Sequence, residues 1–197
     1  MAMSGVASEA AGLDLRLLVP LVAALCAFVA WVGRIWYEGW QDNRRRARAQ
    51  DNLVRALYAE IDFNTRDMEE FLEKSPSEAV LRDKMTADPN LVPHITDARH
   101  TEIYRCRISE LHTVKHETLR RMVHFYGVLE KIKVQIDADN YPSYKTLSIE
   151  GRMNAVLVII RTAERARDFG QDILDDMAED YVALGLTRFD RSFRSRL

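Results

Sequence analysis

The first pattern along the chain is an uninterrupted one. From Leu17 to Gly33, "LLVPLVAALCAFVAWVG", no charge and no polar stripe appears. A core helix of that length in a globular domain carries polar positions every three or four residues. Extended through Arg34 to Tyr37, residues 17–37 form a helix roughly 31 Å long at a rise of about 1.5 Å per residue, close to the hydrocarbon thickness of a bilayer. The pattern predicts a transmembrane helix over 17–37, preceded by a short translocated N-terminus, 1–16. Pro20 sits near its start, where a missing N–H costs least. Residues 38–50 are polar and basic and predict a helical juxtamembrane stalk. An apolar stripe then begins: Leu53, Val54, Leu57, Tyr58, Ile61, Met68, Phe71 and Leu72 recur at helical spacing. The stripe is broad, which favours packing in a bundle over the narrow seam of a coiled coil.

The rest of the chain repeats helical grammar. Ser75, Pro76 and Glu78 read as N-cap, N1 and N3 of a short helix running to about Met85. "ADPNLVPHITD" reads as a loop. A helix resumes near Ala98 with Ile103, Tyr104, Ile108 and Leu111 apolar. Thr113 is placed to cap the next helix, whose stripe is Leu119, Met122, Val123, Tyr126, Leu129, Ile132 and Ile136. "DADNYPSY" breaks it. The last helix extends from about Leu147 to Leu184, with Val156, Ile159, Ile160, Ala163, Phe169, Ile173, Leu174, Met177 and Tyr181 apolar, and Gly185 marks its stop. No stretch alternates as a strand does. The expected fold is all-α: an N-terminal transmembrane helix continuing into a cytoplasmic antiparallel helical bundle, 51–185, followed by a basic amphipathic tail, 186–197.

The flanks of the apolar run give the orientation. Trp31, Trp36, Tyr37 and Trp40 cluster at its end, where amphipathic rings favour the headgroup layer, and Arg34 is close enough to snorkel. Arg44, Arg45, Arg46 and Arg48 follow, whereas Arg16 is the one basic residue before the run. Basic residues next to a span stay in the cytoplasm. The expectation is a single-pass protein of a cell inner membrane, N-terminus outside and C-terminal domain cytoplasmic, with its arginines against the lipid bilayer. A cleaved signal peptide fits less well, because the first 15 residues lack Lys and Arg and the run contains no Ala-x-Ala.

Composition narrows the partners. A formal net charge of −2 speaks against nucleic acid, whose binders carry a basic domain or stripe. With 47% hydrophobic and 29% charged residues the chain has the make-up of a folded domain. Cys26 lies in the apolar run and Cys106 in the soluble part, so no disulfide framework is expected, in keeping with a reducing cytoplasm.

The candidate chemistry is sparse. His112 and His116 stand four apart, but "HETLR" has Arg120 where a zinc-binding H-E-x-x-H needs its second histidine. His124 is expected on a polar face with Glu117, Arg121 and Lys131. Asp172, Asp175 and Asp176 sit in a helix face dense in both charge signs, the ordinary make-up of a solvated surface. The glycines are isolated, so no phosphate-cradling loop is expected. No catalytic residue, metal or cofactor is expected. Glu60 and Asn64, one turn apart in the apolar stripe, form a polar pair that either fixes helix register or makes an interaction contact. In the tail, Phe189, Phe193 and Leu197 recur every fourth residue among Arg188, Arg191, Arg194 and Arg196. As a helix this is a membrane-surface design; the other reading is a tail docked on the domain.

"RALYAEIDFN", "ISELHTVKHETLRRMVHFYGVLEKI" and "AERARDFGQDIL" resemble blocks in a loose group of uncharacterised bacterial proteins with one N-terminal span and a helical cytoplasmic domain. The resemblance implies this architecture and no activity. The expected function is that of a membrane-anchored, non-enzymatic scaffold that binds a protein partner or itself. The alternative is a membrane-surface enzyme or sensor with a polar pocket between helices.

Overall fold

A computed structural model describes residues 15–88 and 91–189, with side chains from Val22 onward. The described residues are helical, without a strand. The helices are α1 (Leu15–Lys74), α2 (Glu78–Ala87), α3 (Glu102–Cys106), α4 (His116–Asp139) and α5 (Ile149–Asp180), with short 3-10 turns at Ile108–Thr113, Pro142–Thr146 and Val182–Leu184. The chain divides into two compact units, residues 1–49 and 50–197.

The first unit holds the N-terminal part of α1. Among the described residues no helix is long and apolar enough to cross a membrane. The segment 17–37 is helical throughout. Its described side chains, 22–37, cover about 24 Å at 1.5 Å per residue, less than a bilayer core. Leu17 to Leu21 and the N-terminus 1–14 lie outside them.

The second unit is a bundle of three long helices and two short ones. Leu53, Val54, Leu57, Ile61 and Met68 of α1 meet Met122, Phe125, Leu129 and Ile132 of α4 and Ile159, Ala163, Ile173, Leu174 and Met177 of α5 in one core. α4 and α5 run antiparallel. Lys115 and Thr118 reach Asp180, Arg121 reaches Asp176, and further along His124 packs on Phe169. α1 runs in the sense of α4, since Gln50 bonds the Thr113 carbonyl and Glu60 bonds Tyr126. A smaller cluster, Leu81 and Met85 of α2 with Met153 and Val156 of α5, closes the side of the bundle.

Several boundaries differ from those the sequence suggests, each for a local reason. Ser75 does not start α2; it closes α1, its hydroxyl donating to the Phe71 carbonyl at 2.8 Å. Ser77 is the N-cap, accepting from the Val80 N–H. Residues 91–101 form an irregular connection, so the helix expected from Ala98 shrinks to the five residues of α3. Thr113 bonds back to the Glu110 carbonyl within a 3-10 turn, leaving Lys115 before α4 with no side-chain cap. α5 stops at Asp180, four residues short of the expected end, and Gly185 terminates the following turn with φ 57°.

Candidate interaction groove

The residues expected at a membrane interface lie in the first unit. Trp31, Trp36, Tyr37 and Trp40 are all exposed there, Trp36 at 84%. Arg34 pairs with Glu38 at 2.7 Å, and the Arg44 guanidinium stands 3.8 Å over the Trp40 ring. Arg45, Arg46 and Arg48 are exposed on the same helix without an ion pair among the described residues.

Glu60 and Asn64 are buried, and both hold the connection that leads to α3. The Glu60 carboxylate accepts from the backbone N–H groups of Ile103 at 2.6 Å and Tyr104 at 3.0 Å, and from the Tyr126 hydroxyl at 2.6 Å. These are the N–H groups a helix leaves unsatisfied in its first turn. Thr101, in the N-cap position, makes no side-chain capping bond. Asn64 grips one residue from both sides: its Nδ2 donates to the His100 carbonyl at 2.6 Å and its Oδ1 accepts from the His100 N–H at 2.8 Å. Arg99 joins Asp97 to Glu130 of α4, and Arg105 also reaches Glu130. Tyr104 stacks on Tyr126 with centroids 3.8 Å apart.

A second buried carboxylate, Asp62, went unnoticed in the sequence. It pairs with Arg66 at 2.9 Å and Arg188 at 3.1 Å, and accepts from the Phe189 N–H at 3.0 Å. Arg188 also reaches Glu69, which receives Gln171 of α5. The Phe189 ring lies near the Arg66 guanidinium. The start of the tail is thus engaged with α1. Arg191, Phe193, Arg194, Arg196 and Leu197 lie outside the described residues.

The candidate metal and acid–base groups are scattered. His112 Nδ1 lies 2.8 Å from the Ser109 carbonyl oxygen in a 3-10 turn, while His116 begins α4. Asp176 pairs with Arg121. Among the described residues no three His, Cys, Asp or Glu side chains converge as a metal site would need.

What the structure brings together is a groove between the outer faces of α4 and α5. Two adjoining hollows of about 650 and 560 Å³ share His124 and Phe169. The uncharged lining of the larger one is mostly apolar: Val123, Gly127 and Val128 from α4, with Thr162 and Phe169 from α5. Val123 and Phe169, both expected in the core stripes, are instead 52% and 37% exposed. The reason is angular. Met122, Phe125, Tyr126 and Leu129 already fill the inward face of α4, so Val123 is turned one residue, about 100°, out of it. The stripe of Val123, Gly127 and Lys131 continues to Val134, and that of Phe169, Arg165 and Thr162 continues to Val158; both valines are exposed, at 64% and 43%. The rim carries Arg120, Arg121, Lys131 and Arg165 against the acidic Asp172. Arg120 and Arg121 are partly neutralised by Glu117 and Asp176. Lys131 and Arg165 have no ion-pair partner among the described residues.

Gly127 lines the same hollow, in mid-helix, and a methyl group added there would meet nothing within 4 Å. Gly170 is the opposite case, since α1 and α4 press directly against it. The sequence signal for the groove was the excess of apolar residues over what one inward face of α4 accommodates, with a glycine beside it.

Compared with family models, with curated proteins and with solved structures, the chain matches none. Its fold class is all-α, and the functional reading rests on its own geometry.

Proposed function

We propose that the chain is a membrane-anchored, non-enzymatic interaction protein. Its helical domain stands at the cytoplasmic face of a bacterial inner membrane and binds another protein in the α4–α5 groove. The observation that carries this reading is the groove itself: exposed apolar side chains in a concave strip between two rigid helices, the setting in which proteins bind partner helices. The buried carboxylates speak for binding over catalysis, because Glu60 and Asp62 are occupied by donors of the fold itself. The anchor is supported by the uncharged run Leu17–Gly33 and by the exposed aromatic and arginine cluster that follows it.

The test is site-specific photocrosslinking of the full chain in intact cells. A photoreactive side chain at His124 should give a crosslinked adduct with a second polypeptide, and one at Arg82 of α2, which does not line the groove, should not. Equal labelling from both positions, or none from His124, sinks the groove reading. A reporter active only in the cytoplasm, fused after Leu197, should work; activity of an export-dependent reporter there instead sinks the orientation.

A further inference from the structure

We infer that the occupant of the α4–α5 groove is an acidic amphipathic helix of about three turns, admitted because position 127 has no side chain. This rests on reading the groove as a protein-binding surface and adds the chemistry of what binds.

Three observations converge. The length comes first. The two hollows are lined on α4 from Arg120 to Lys131 and on α5 from Thr162 to Ile173, and each pair is eleven residues apart. At 1.5 Å per residue the strip is about 16 Å long, three turns of a helix laid along it. Charge is second. The whole chain is slightly acidic, with net charge −2, yet of the four basic side chains lining the groove only Arg120 and Arg121 are answered by carboxylates, Glu117 and Asp176, which leaves Lys131 and Arg165 as an unbalanced positive pair. Lys131 and Arg165 line the same hollow, one from each helix, without ion-pair partners among the described residues. Carboxylates flanking an apolar face would complement them.

The third is Gly127. A glycine inside a helix is less favourable than alanine, by lost backbone entropy and lost side-chain packing. No close approach of another element requires it. Its effect is to lower the floor of the groove by one side chain where an incoming helix would lie deepest. A lipid surface would be matched less well, because a flat headgroup layer does not reach a concave floor.

The experiment uses the full chain in bilayer discs of neutral lipid. The probe is a labelled synthetic helix with leucines at i, i+4, i+7 and i+11 and glutamates beside them; its twin has lysines for the glutamates. The glutamate helix should bind, more weakly as salt rises, and the lysine twin at least about tenfold more weakly. Gly127→Trp should weaken the glutamate helix by about tenfold or more, whereas Gly127→Ala, which adds one methyl group, should stay within about threefold. Because the bulk of Gly127→Trp can also act through the fold, Lys131→Glu with Arg165→Glu is the second variant. It should reverse the preference between the twins. Twins that bind alike, a Gly127→Trp protein that binds as wild type, or displacement of the helix when anionic lipid replaces neutral lipid would each overturn the inference. If His124 still crosslinks to a protein in cells while the glutamate helix fails to bind, the occupant's chemistry is wrong and the groove reading survives. If both fail, both fall.

Discussion

Gly170 of α5 lies so close against Thr65 of α1 that a methyl group at Gly170 would stand 2.0 Å from the Thr65 hydroxyl oxygen and 3.1 Å from the Phe125 ring. The hydroxyl has little freedom to retreat, since it donates to the Ile61 carbonyl at 2.8 Å. Gly170→Ala is therefore expected to lower stability by about 1–3 kcal/mol, the usual cost of overpacking. Thr65→Ala in the same chain removes the clashing oxygen and should recover part of the loss, so the two changes will not add. Denaturant titration of wild type, the two single variants and the double variant measures this. A Gly170→Ala protein as stable as wild type would show that the helices separate at no cost.

Tyr126 gives the stability of the bundle an alkaline limit. Burial, and then the adjoining Glu60 carboxylate, hold its phenol far above the usual range for tyrosine. Burial raises Tyr58, Tyr104 and Tyr144 as well. The unfolded chain releases these protons near pH 10, before the folded one does. Stability is thus fully present below about pH 10 and is lost as pH rises above it. Tyr126→Phe should cost about 1.5–3 kcal/mol at neutral pH, through the lost bond to a charged acceptor, and should make the alkaline decline shallower. Denaturation midpoints between neutral and strongly alkaline pH give both quantities. Parallel declines in the two proteins would remove Tyr126 from the account.

Asn64→Asp changes one group and should be worse than its size suggests. The new carboxylate would accept from the His100 N–H but would face the His100 carbonyl, to which Asn64 now donates. A buried repulsion replaces a hydrogen bond, at a cost of about 2–3 kcal/mol. Protonation of the aspartate restores a donor, so the deficit should shrink as pH falls. Thermal melts of the variant and wild type at neutral and mildly acidic pH test this; a deficit independent of pH would contradict it.

Asp62 should matter more than Glu69, although both hold Arg188. The Asp62 side chain is 4% exposed and also receives Arg66 and the Phe189 N–H, whereas that of Glu69 is 24% exposed. Asp62→Asn is expected to cost about 2 kcal/mol and to speed amide hydrogen exchange at Phe189; Glu69→Gln should cost under about 1 kcal/mol. Truncation after Gly185 should cost about as much as Asp62→Asn. If truncation leaves stability unchanged, the start of the tail is not a strap on the bundle.

The long helices were legible in the sequence because their inward faces obey one period. Leu53, Val54, Leu57 and Ile61 of α1, and Met122, Tyr126, Leu129 and Ile132 of α4, fall in the core as their spacing requires. What escaped was set by partners distant in the chain. Nothing near Glu102 announces a five-residue helix, because its N–H groups are satisfied from Glu60. Asp62 stands between Ile61 and Phe63, outside the apolar stripe of α1, and its partners Arg188 and Phe189 lie more than a hundred residues further along the chain. The groove was hidden in the same way. Val123 and Phe169 look like core residues in a linear pattern, and only the docking of α4 on α5 places them outside.

The cap that Glu60 places on α3 has a consequence for the order in which the chain folds. Five residues are too few to hold a helix in water by themselves, and Thr101 supplies no local cap. The segment from Asp97 to Cys106 acquires its shape only once α1 presents Glu60 and Asn64 and α4 presents Tyr126 and Glu130. It is expected to form late, on a surface that the long helices have already made. Exchange of the Ile103 and Tyr104 amides then reports on the joining of α1 to α4, two helices to which neither residue belongs.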